Sequence, residues 1–334
     1  MPHHDSLRWL LVGAGDIAGK RVAAALAAAG ELVAVCDLVR ERAERTAGQF
    51  GAGEVYDDLD RALAATKAEA VYLATPVFLH ARQACEVLGS GRHALVEKPL
   101  GINAADALQA VRAVREARAR NLTAGCAYYR RLSARYAHAK RMVDRGEFGR
   151  IVLVRMSYFS WFNPAPGDPK AWRVVPSKSG GGVLADMGSH MFDILIGLLG
   201  LPAKVYAETR NLIQPYEAED SAVVQMELGD GAPVVAAFGW NSRTWVHEFE
   251  IVGTEARLTW CPYDSGKITK TVGRETEELV LEDPANVHQP LVEDFTRAAR
   301  AGGAPAVPLD EALKTNILLD AVYESSRRKK EIRL

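Results

Sequence analysis

The sequence has little of the chemistry that marks secreted, membrane-spanning or nucleic-acid-binding proteins. Only four of its 334 residues are cysteines, and they lie far apart with no paired spacing: Cys36, Cys85, Cys126 and Cys261. We therefore expect reduced core thiols rather than a disulfide framework or a zinc site. No apolar run reaches about 18 residues, which predicts no membrane span. The net charge of −1 favours neither nucleic acid nor an anionic membrane as a partner.

The first residues also lack a targeting signal. Met1-Pro2-His3-His4-Asp5 does not have the basic and then apolar segments of a secretory signal peptide, so the expected compartment is the cytoplasm. What the chain has is the composition of a globular protein, with 48% hydrophobic and 25% charged residues. Its length predicts two domains with a sizeable core.

A glycine motif near the N-terminus organises the first half of the chain. The run Leu10–Val12 ends in Gly13-Ala14-Gly15-Asp16-Ile17-Ala18, and an alanine-rich amphipathic segment follows. Gly13 permits a sharp turn, Gly15 lets the backbone approach a pyrophosphate, and Ala18 lets the helix pack on the strand. A second apolar run ends in Asp37, 24 residues after Gly13, where the ribose-binding acid of a dinucleotide site belongs. The alternative is an ordinary strand–turn–helix unit without a ligand.

Up to Ala127 the chain alternates apolar runs with helical patterns, which predicts a parallel, doubly wound sheet. The predicted strands are Trp9–Val12, Leu32–Cys36, Ala70–Leu73, Ala94–Glu97 and Thr123–Ala127. The predicted helices are Ile17–Ala28, Glu41–Phe50, Leu79–Leu88 and Asn103–Ala119. Because ligands bind at the carboxyl ends of such strands, we expect Asp37, Thr75-Pro76 and Glu97-Lys98-Pro99 to line one crevice.

From Ile151 the pattern changes to strands joined by short polar turns, which predicts a mostly antiparallel sheet in an α+β domain. The predicted strands are Ile151–Phe159, Val205–Asn211, Ser221–Leu228, Val234–Trp240, Glu248–Gly253 and Ala256–Trp260. The predicted helices are Met187–Leu199, Leu291–Arg300 and Leu309–Arg328. We place the domain boundary between residues 127 and 128.

Two groups of residues are candidates for catalysis. Lys98 follows a predicted strand, where its ammonium can hydrogen-bond a substrate oxygen and stabilise developing charge; a solvent-exposed lysine is the alternative. Asp186 and His190 are four residues apart on an otherwise apolar helix, so they share a face with Asp193. An imidazole oriented by a carboxylate suits proton transfer from an alcohol. The alternative is a core histidine with a capping aspartate. No third ligand has a matching spacing, so no metal site is expected.

Further residues are candidates for ligand contacts. Tyr128 lies in the passage between the predicted domains, and a loop rich in proline and glycine contains Trp161, Asn163, Trp172 and Arg173. These five are candidate substrate contacts, with a hinge and interface packing as the alternatives. His80 is interpreted as scaffolding at a helix start near the cofactor.

Together these motifs resemble the glucose–fructose oxidoreductase, inositol dehydrogenase and MocA (Gfo/Idh/MocA) family over nearly the whole chain. The residues that carry the resemblance are Gly13-Ala-Gly15-Asp-Ile-Ala18, Ala74-Thr75-Pro76 with His80, Glu97-Lys98-Pro99, Gly181-Gly182 with Asp186-x-Gly188-x-His190-x-x-Asp193, and Ala321–Ser325. The resemblance implies a Rossmann domain, a second α/β domain whose open sheet is often used in oligomerisation, and Lys98, Asp186 and His190 as the catalytic set.

The resemblance also implies NAD(P) as cofactor and hydride transfer to or from a sugar, inositol or related polyol. We expect NAD to be preferred over NADP because of Asp37, and the protein to be a homo-oligomer. The expected cofactor-binding residues are Gly13, Gly15, Asp16, Ile17, Asp37, Thr75, Pro76, His80, Glu97 and Lys98. Three alternatives remain: a glycosidase that uses transient NAD-dependent oxidation, a cofactor-sensing regulator, and a reductase of non-sugar substrates such as dihydrodiols or tetrapyrroles.

Overall fold

The computed structural model describes residues 6–334. Residues 1–5, on which the expectation about a signal peptide rests, lie outside the described residues. The chain forms two compact units. The first contains the described residues up to Leu132 together with Pro284–Leu313, and the second contains Ser133–Asp283 and Lys314–Leu334.

The first unit is built on a sheet of six parallel strands, in the order β3-β2-β1-β4-β5-β6. The strands are β1 (Arg8–Val12), β2 (Glu31–Cys36), β3 (Glu54–Tyr56), β4 (Ala70–Leu73), β5 (His93–Val96) and β6 (Ala124–Cys126). The helices are α1 (Ala23–Ala29), α2 (Arg40–Phe50), α3 (Leu59–Ala65), α4 (Val77–Gly89) and α5 (Ala104–Ala117). This order reverses next to β1, so the predicted doubly wound sheet is confirmed, with its ligand crevice expected at that point.

The apolar runs of these strands are explained by burial on both faces of the sheet. In β1, Leu10 and Val12 pack into one hydrophobic core, whereas Trp9 and Leu11 pack into another. Alternate side chains of a strand point to opposite faces, so a strand covered on both sides needs apolar residues at every position.

Strand β3 and helix α3 of this unit were not predicted from the sequence. The strand Glu54–Tyr56 has only three residues, all of them partly buried, so it has no apolar run to detect. Helix α3 has seven residues and begins after Asp58, whose carboxylate accepts a hydrogen bond from the backbone N–H of Arg61. That capping contact fixes the start of a helix too short for a clear periodicity.

The second unit is built on a nine-stranded sheet with the order β14-β13-β12-β11-β7-β10-β9-β8-β15. Its strands are β7 (Ile151–Trp161), β8 (Lys204–Arg210), β9 (Ser221–Glu227), β10 (Pro233–Gly239), β11 (Asn241–Gly253), β12 (Ala256–Trp260), β13 (Lys267–Val272), β14 (Glu275–Val280) and β15 (Ile332–Arg333). Its helices include α6 (Ala134–Asp144), α7 (Pro176–Ser179) and α8 (Ser189–Leu199). All neighbouring strands are antiparallel except β7 and β10, so the expected mostly antiparallel sheet is confirmed.

One face of this sheet forms the core of the second unit. Val154 and Met156 of β7 are buried in the same cluster as Met191, Phe192 and Leu195 of α8. The segment Pro176–Leu199 is long and apolar enough to cross a membrane, with a mean hydropathy of 1.4 in its most apolar window. However, 78% of that window is buried inside the structure, as in the core helix of a globular protein.

Strands β13 and β14 and helix α6 were missed from the sequence. Five of the six residues of β14 are exposed, so an apolar alternation is absent. Cys261 also differs from the expectation of a core thiol, because it is exposed directly after β12. Its thiol donates to the carboxylate of Glu248 at 3.2 Å.

The last two helices are α9 (Gln289–Ala301) and α10 (Leu309–Arg328). Helix α9 belongs to the first unit, where the rings of Phe295 and Trp9 lie 5.6 Å apart. The backbone N–H of Cys126 also donates to the carbonyl of Val307 at 3.0 Å. The observed division therefore differs from a single boundary after residue 127, because the return of the chain to the first sheet leaves no contiguous sequence signal.

Candidate active site

The glycine loop at the end of β1 fits a dinucleotide. Gly13 has φ of +90°, and a Cβ there would lie 2.6 Å from the carbonyl oxygen of Ala74. The neighbouring backbone therefore requires glycine at this position. By contrast, a Cβ at Gly15 or Gly19 would meet nothing within 4 Å, so the protein leaves open space beside this loop. A pyrophosphate needs such a gap at a helix N-terminus.

Asp37 connects the end of β2 to this loop. The backbone N–H of Ala14 donates to its Oδ2 at 2.7 Å, and that of Val39 donates to Oδ1 at 2.8 Å. Each carboxylate oxygen can accept a further hydrogen bond. Asp37 can therefore bind ribose hydroxyls while it accepts the two bonds from the backbone. The helical segment after the loop begins at Asp16 and contains a π-helical turn at Ala18–Val22 before α1, in place of the continuous α-helix expected from Ile17. Asp16 forms an exposed ion pair with Lys20 at 2.7 Å.

His80 joins two loops at the carboxyl edge of the sheet. Its Nδ1 lies 2.8 Å from the carbonyl oxygen of Pro99, and its Nε2 lies 2.7 Å from that of Thr75. Burial lowers the pKa of His80, although the two carbonyls oppose this shift. The Thr75 hydroxyl donates to the Gln83 side chain at 2.6 Å. His80 therefore braces the loops that follow β4 and β5.

Glu97 is buried and its carboxylate has partners within the first unit. It accepts hydrogen bonds from the Tyr72 hydroxyl at 2.8 Å and from the backbone N–H of Lys98 at 3.1 Å. The Nε2 of His288 lies 3.5 Å from the same carboxylate. Burial acts to raise the pKa of Glu97, but His288 and Tyr72 outweigh it and the net shift is downward. This arrangement supports the backbone from which Lys98 projects.

Exposure separates the expected cofactor residues into two groups. Gly13, His80 and Glu97 are buried, which fits scaffolding. The remaining residues are at least partly accessible along the carboxyl edge of the sheet: Gly15, Asp16, Ile17, Asp37, Thr75, Pro76 and Lys98. These accessible residues would hold the dinucleotide.

In the second unit, Asp186 and His190 lie on successive turns with different geometry. Residues Leu184–Gly188 form a π-helical turn, and α8 continues from Ser189. The expected α-helix from Met187 therefore begins earlier and with a wider turn. Single π turns often occur at functional sites. Asp186 is partly accessible, His190 is 6% exposed, and Asp193 is fully buried.

Arg173 contacts Asp186 directly. Its Nη1 lies 2.9 Å from Oδ2 of the carboxylate, and its guanidinium carbon lies 5.6 Å from the ring centre of Trp172. Trp161 is 39% exposed, with the Arg243 guanidinium 4.3 Å from its ring centre. Asn163 is exposed. The loop thus places Arg173, a candidate substrate contact, in an ion pair with Asp186, a candidate catalytic residue.

Tyr128 does not fit the expected substrate contact. Its side chain is fully buried in the hydrophobic core of the first unit, together with Cys126. The strand β6 ends two residues before it, at Cys126, so the chain is still packed inside the unit at this point. Tyr128 is therefore a core residue in this structure.

Tyr158 is a further candidate site residue, which was not predicted from the sequence. Burial, and the negative charge of Asp186, raise its pKa, while a hydrogen bond from the Ser160 hydroxyl at 3.0 Å opposes the shift. It follows the buried residues Val154 and Met156 at alternate positions of β7. Tyr158 continues this series of inward-facing positions with a side chain that carries a hydroxyl, and that polar group was the signal available in the sequence.

Among residues 6–334, no group of three or more His, Cys, Asp or Glu side chains is arranged to hold a metal ion. The first unit therefore contains a crevice that fits a dinucleotide, and the second unit contains a partly accessible carboxylate, Asp186, and a buried imidazole, His190, on successive helical turns. These features define a dinucleotide-dependent oxidoreductase as the class of protein.

Comparison with known proteins agrees with this class. A model for the oxidoreductase family with an NAD-binding Rossmann fold matches residues 7–125, and a model for the GFO/IDH/MocA C-terminal domain matches residues 136–259. The chain therefore belongs to the Gfo/Idh/MocA family and is an NAD(P)-dependent oxidoreductase.

Individual relatives cover nearly the whole chain. It is 29% identical over 307 residues to the 1,5-anhydro-D-fructose reductase of Ensifer adhaerens, covering 90% of each chain. It is 27% identical over 325 residues to D-xylose 1-dehydrogenase (NADP(+)) 2 of Haloferax volcanii, covering 95% of this chain and 96% of that one. The WlbA dehydrogenase from Bordetella pertussis, solved in complex with NADH and UDP-GlcNAcA, is similar with a TM-score of 0.85 and 27% identity, covering 98% of this chain and 99% of that one.

Proposed function

We propose that this enzyme transfers a hydride reversibly between a nicotinamide cofactor and a secondary alcohol or ketone of a sugar, inositol or related polyol. The observation that carries the proposal is the ion pair between Arg173 and Asp186 on the helix that also presents His190. Reduction of anhydrofructose and oxidation of xylose are the activities named for two relatives. When bound, the nicotinamide would accept or donate the hydride.

In the proposed reaction, His190 takes the hydroxyl proton during oxidation and returns it during reduction. A buried imidazole with a neighbouring carboxylate suits this role, because its unperturbed pKa lies near the working pH. Asp186 orients the imidazole and stabilises its charged form, and Arg173 fixes the direction of the Asp186 carboxylate.

Lys98 is proposed to polarise the reacting oxygen. Its ammonium is a compact charge on a flexible stem, and Glu97 supports its backbone at 3.1 Å. A positive charge directed at an oxygen that becomes negative lowers the barrier selectively in the transition state. Trp161, at the end of β7, and Asn163, Trp172 and Arg173, in the segment that follows it, are the proposed substrate contacts, because all four are at least partly accessible.

NAD is the proposed cofactor, with NADP as the less favoured form. A 2′-phosphate would bring negative charge close to Asp37. Arg40 lies nearby in the sequence but is already paired with Glu44 at 2.9 Å and lies 4.0 Å from Asp57. These carboxylates reduce the positive charge that Arg40 can offer to a phosphate.

We further propose a cytoplasmic homo-oligomer that associates through the outer face of the large sheet. Tyr206, Val223 and Val235 lie on the adjacent strands β8, β9 and β10 and are between 39% and 51% exposed. Exposed apolar side chains in one patch are typical of a protein interface. A second copy of the chain is the proposed partner, and sedimentation of the Val223→Lys variant as a smaller species than the wild type would support it.

The test of the activity is a spectrophotometric screen for NADH formation over aldoses, ketoses, inositols and anhydrosugars, with the matching ketones assayed in reverse. Turnover of at least one polyol with stoichiometric NADH is the expected result. Glycoside cleavage without net NADH, or turnover restricted to dihydrodiols or tetrapyrroles, would overturn the proposal. The His190→Ala variant is the control for a contaminating dehydrogenase.

A further inference from the structure

The carboxylate of Glu219 is hydrogen-bonded to the backbone at the start of the helical segment that contains Asp186 and His190. Its Oε2 accepts a hydrogen bond from the backbone N–H of Gly182 at 2.7 Å, and its Oε1 accepts one from that of Leu184 at 3.1 Å. The hydroxyl of Tyr323, on α10, donates to the same Oε1 at 3.0 Å. Three donors therefore converge on one side chain that neither the sequence motifs nor the proposed mechanism uses.

Two glycines are required for this close approach. A Cβ at Gly181 would lie 1.9 Å from the Tyr323 hydroxyl, and a Cβ at Gly182 would lie 2.1 Å from the backbone oxygen of Glu219. Neither contact is possible for a real side chain. Two of the three glycines at 180–182, Gly181 and Gly182, are thus explained by the packing of Tyr323 and Glu219.

Leu184 connects this cluster to the π-helical turn. Its N–H donates to Glu219, and its carbonyl accepts from the backbone N–H of Ser189, five residues later. Both backbone groups of Leu184 are therefore engaged, and the hydrogen bond from Ser189 closes the turn that contains Asp186. A shift of Leu184 would change the turn that separates Asp186 from His190.

We propose that Glu219, held by Tyr323, is a positioning residue that fixes the wide turn and thereby the relative orientation of Asp186 and His190. A carboxylate at the N-terminal end of a helix also compensates the positive end of the helix dipole. Burial raises the pKa of Glu219, and the hydrogen bonds from Leu184, Gly182 and Tyr323 oppose this shift. Burial and Glu219 also raise the pKa of Tyr323, so Tyr323 remains a neutral donor. The inference rests on the proposed roles of Asp186 and His190.

The experiment compares Glu219→Gln and Tyr323→Phe with the matched control Glu217→Gln, which alters an exposed carboxylate two residues away. The glutamine keeps the shape of the side chain but presents an NH₂ group to at least one donor. Amide exchange at residues 182–184 and the ring resonances of His190 are measured by NMR on the full chain without substrate. Steady-state rates and NAD dissociation constants are measured in parallel.

For Glu219→Gln we expect amide exchange at least about tenfold faster, shifted His190 ring resonances and a kcat lowered by about tenfold or more. The NAD dissociation constant should stay within about twofold, since the nucleotide residues belong to the other unit. Tyr323→Phe should give a smaller change in the same direction, and Glu217→Gln none. Wild-type His190 resonances in Glu219→Gln would overturn the proposal, whatever the melting temperature. If no polyol is oxidised at all, the proposed function fails, and the His190 resonances still decide the role of Glu219.

Discussion

The guanidinium of Arg173 lies 2.9 Å from the carboxylate of Asp186, although the two residues belong to different segments of the chain. Arg173 is in a short 3₁₀ turn at Ala171–Val174, and Asp186 is in the π-helical turn before α8. Both side chains are partly shielded from solvent, with 32% and 16% of their surface exposed. The loop thereby restricts the orientation of the Asp186 carboxylate, which the proposed mechanism requires.

Arg173→Met should lower kcat by roughly 100-fold, because a misdirected Asp186 no longer orients His190. The aliphatic stem is largely kept, so the fold should survive. Arg173→Lys should recover only part of the rate, since a lysine lacks the planar fork of arginine. The measurements are kcat and KM on the best polyol. Arg243→Met, which removes an exposed guanidinium from Trp161, is the control, and an equal loss of kcat there would contradict the assignment.

His190→Ala should lower kcat by roughly 10²–10⁴-fold while NAD affinity stays nearly unchanged. In the wild type, oxidation should decrease as the pH falls through the apparent pKa of the base, which for an unperturbed histidine is about 6.5. Steady-state rates across the pH range and a fluorescence titration with NAD provide the two readouts. A variant with the wild-type pH profile would exclude His190 as the base.

Lys98→Met removes the charge but keeps much of the apolar stem. If Lys98 polarises the reacting oxygen, kcat/KM should fall by some 10²–10³-fold, which corresponds to about 2.7–4 kcal/mol. The NAD dissociation constant should change little. Weaker NAD binding with an unchanged maximal rate would instead assign Lys98 to cofactor binding alone.

Asp37→Ser should move the cofactor preference toward NADP. The negative charge of Asp37 opposes a 2′-phosphate by about 1–4 kcal/mol at a separation of about 4 Å, so the wild type should favour NAD by about fivefold or more in kcat/KM. The measurement is the ratio of kcat/KM for the two cofactors in wild type and variant. Equal values for both cofactors in the wild type would contradict the role of Asp37.

His80 should make the stability of the protein depend on pH. Burial lowers the pKa of His80 in the folded state, whereas in the unfolded chain it titrates near ~6.5. Below that pH the unfolded state binds a proton that the folded state excludes, so stability decreases as the pH falls until the folded pKa is reached. The slope is at most about 1.4 kcal/mol per pH unit for one proton.

The check on His80 is urea unfolding between about pH 7.5 and about pH 5.5. The His80→Gln variant cannot titrate in this range, so its free energy of unfolding should depend less on pH than that of the wild type. It should also be less stable at neutral pH, because one of the carbonyls of Thr75 and Pro99 loses its contact. The same pH dependence in both proteins would rule out His80 as its source.

Elements whose apolar residues recur at the period of a strand or a helix were predictable, because burial of one or both faces determines that pattern. The strands Ala70–Leu73 and Ala256–Trp260 and the helix Leu309–Arg328 have the predicted bounds. Gly13 was predictable for a different reason, since the turn after β1 requires a conformation that only glycine adopts easily. Short or polar elements such as β3 and β14 have neither signal.

The contacts within the candidate site were less predictable. The pairing of Arg173 with Asp186 depends on how an irregular loop folds, and no periodicity describes that. Tyr128 was assigned to a substrate contact from its place between the predicted domains, and Glu97 to a cofactor contact from its place at the end of a predicted strand, but both side chains are buried. A sequence position identifies the end of a strand, whereas the direction of the side chain depends on neighbours such as Tyr72 and His288.

The contact between Trp9 and Phe295 has a consequence for the order in which the protein is made. A ribosome completes β1 to β6 long before it reaches α9, so the nascent nucleotide-binding unit has Trp9 uncovered until almost the entire chain has been synthesised. The hydrogen bond from Cys126 of β6 to Val307, and the contact of His288 with Glu97, also cannot form until that part of the chain has been synthesised. Synthesis of most of the polypeptide, up to Leu313, therefore precedes completion of its first unit, and a chain that ends at residue 283 would have an unfinished hydrophobic core.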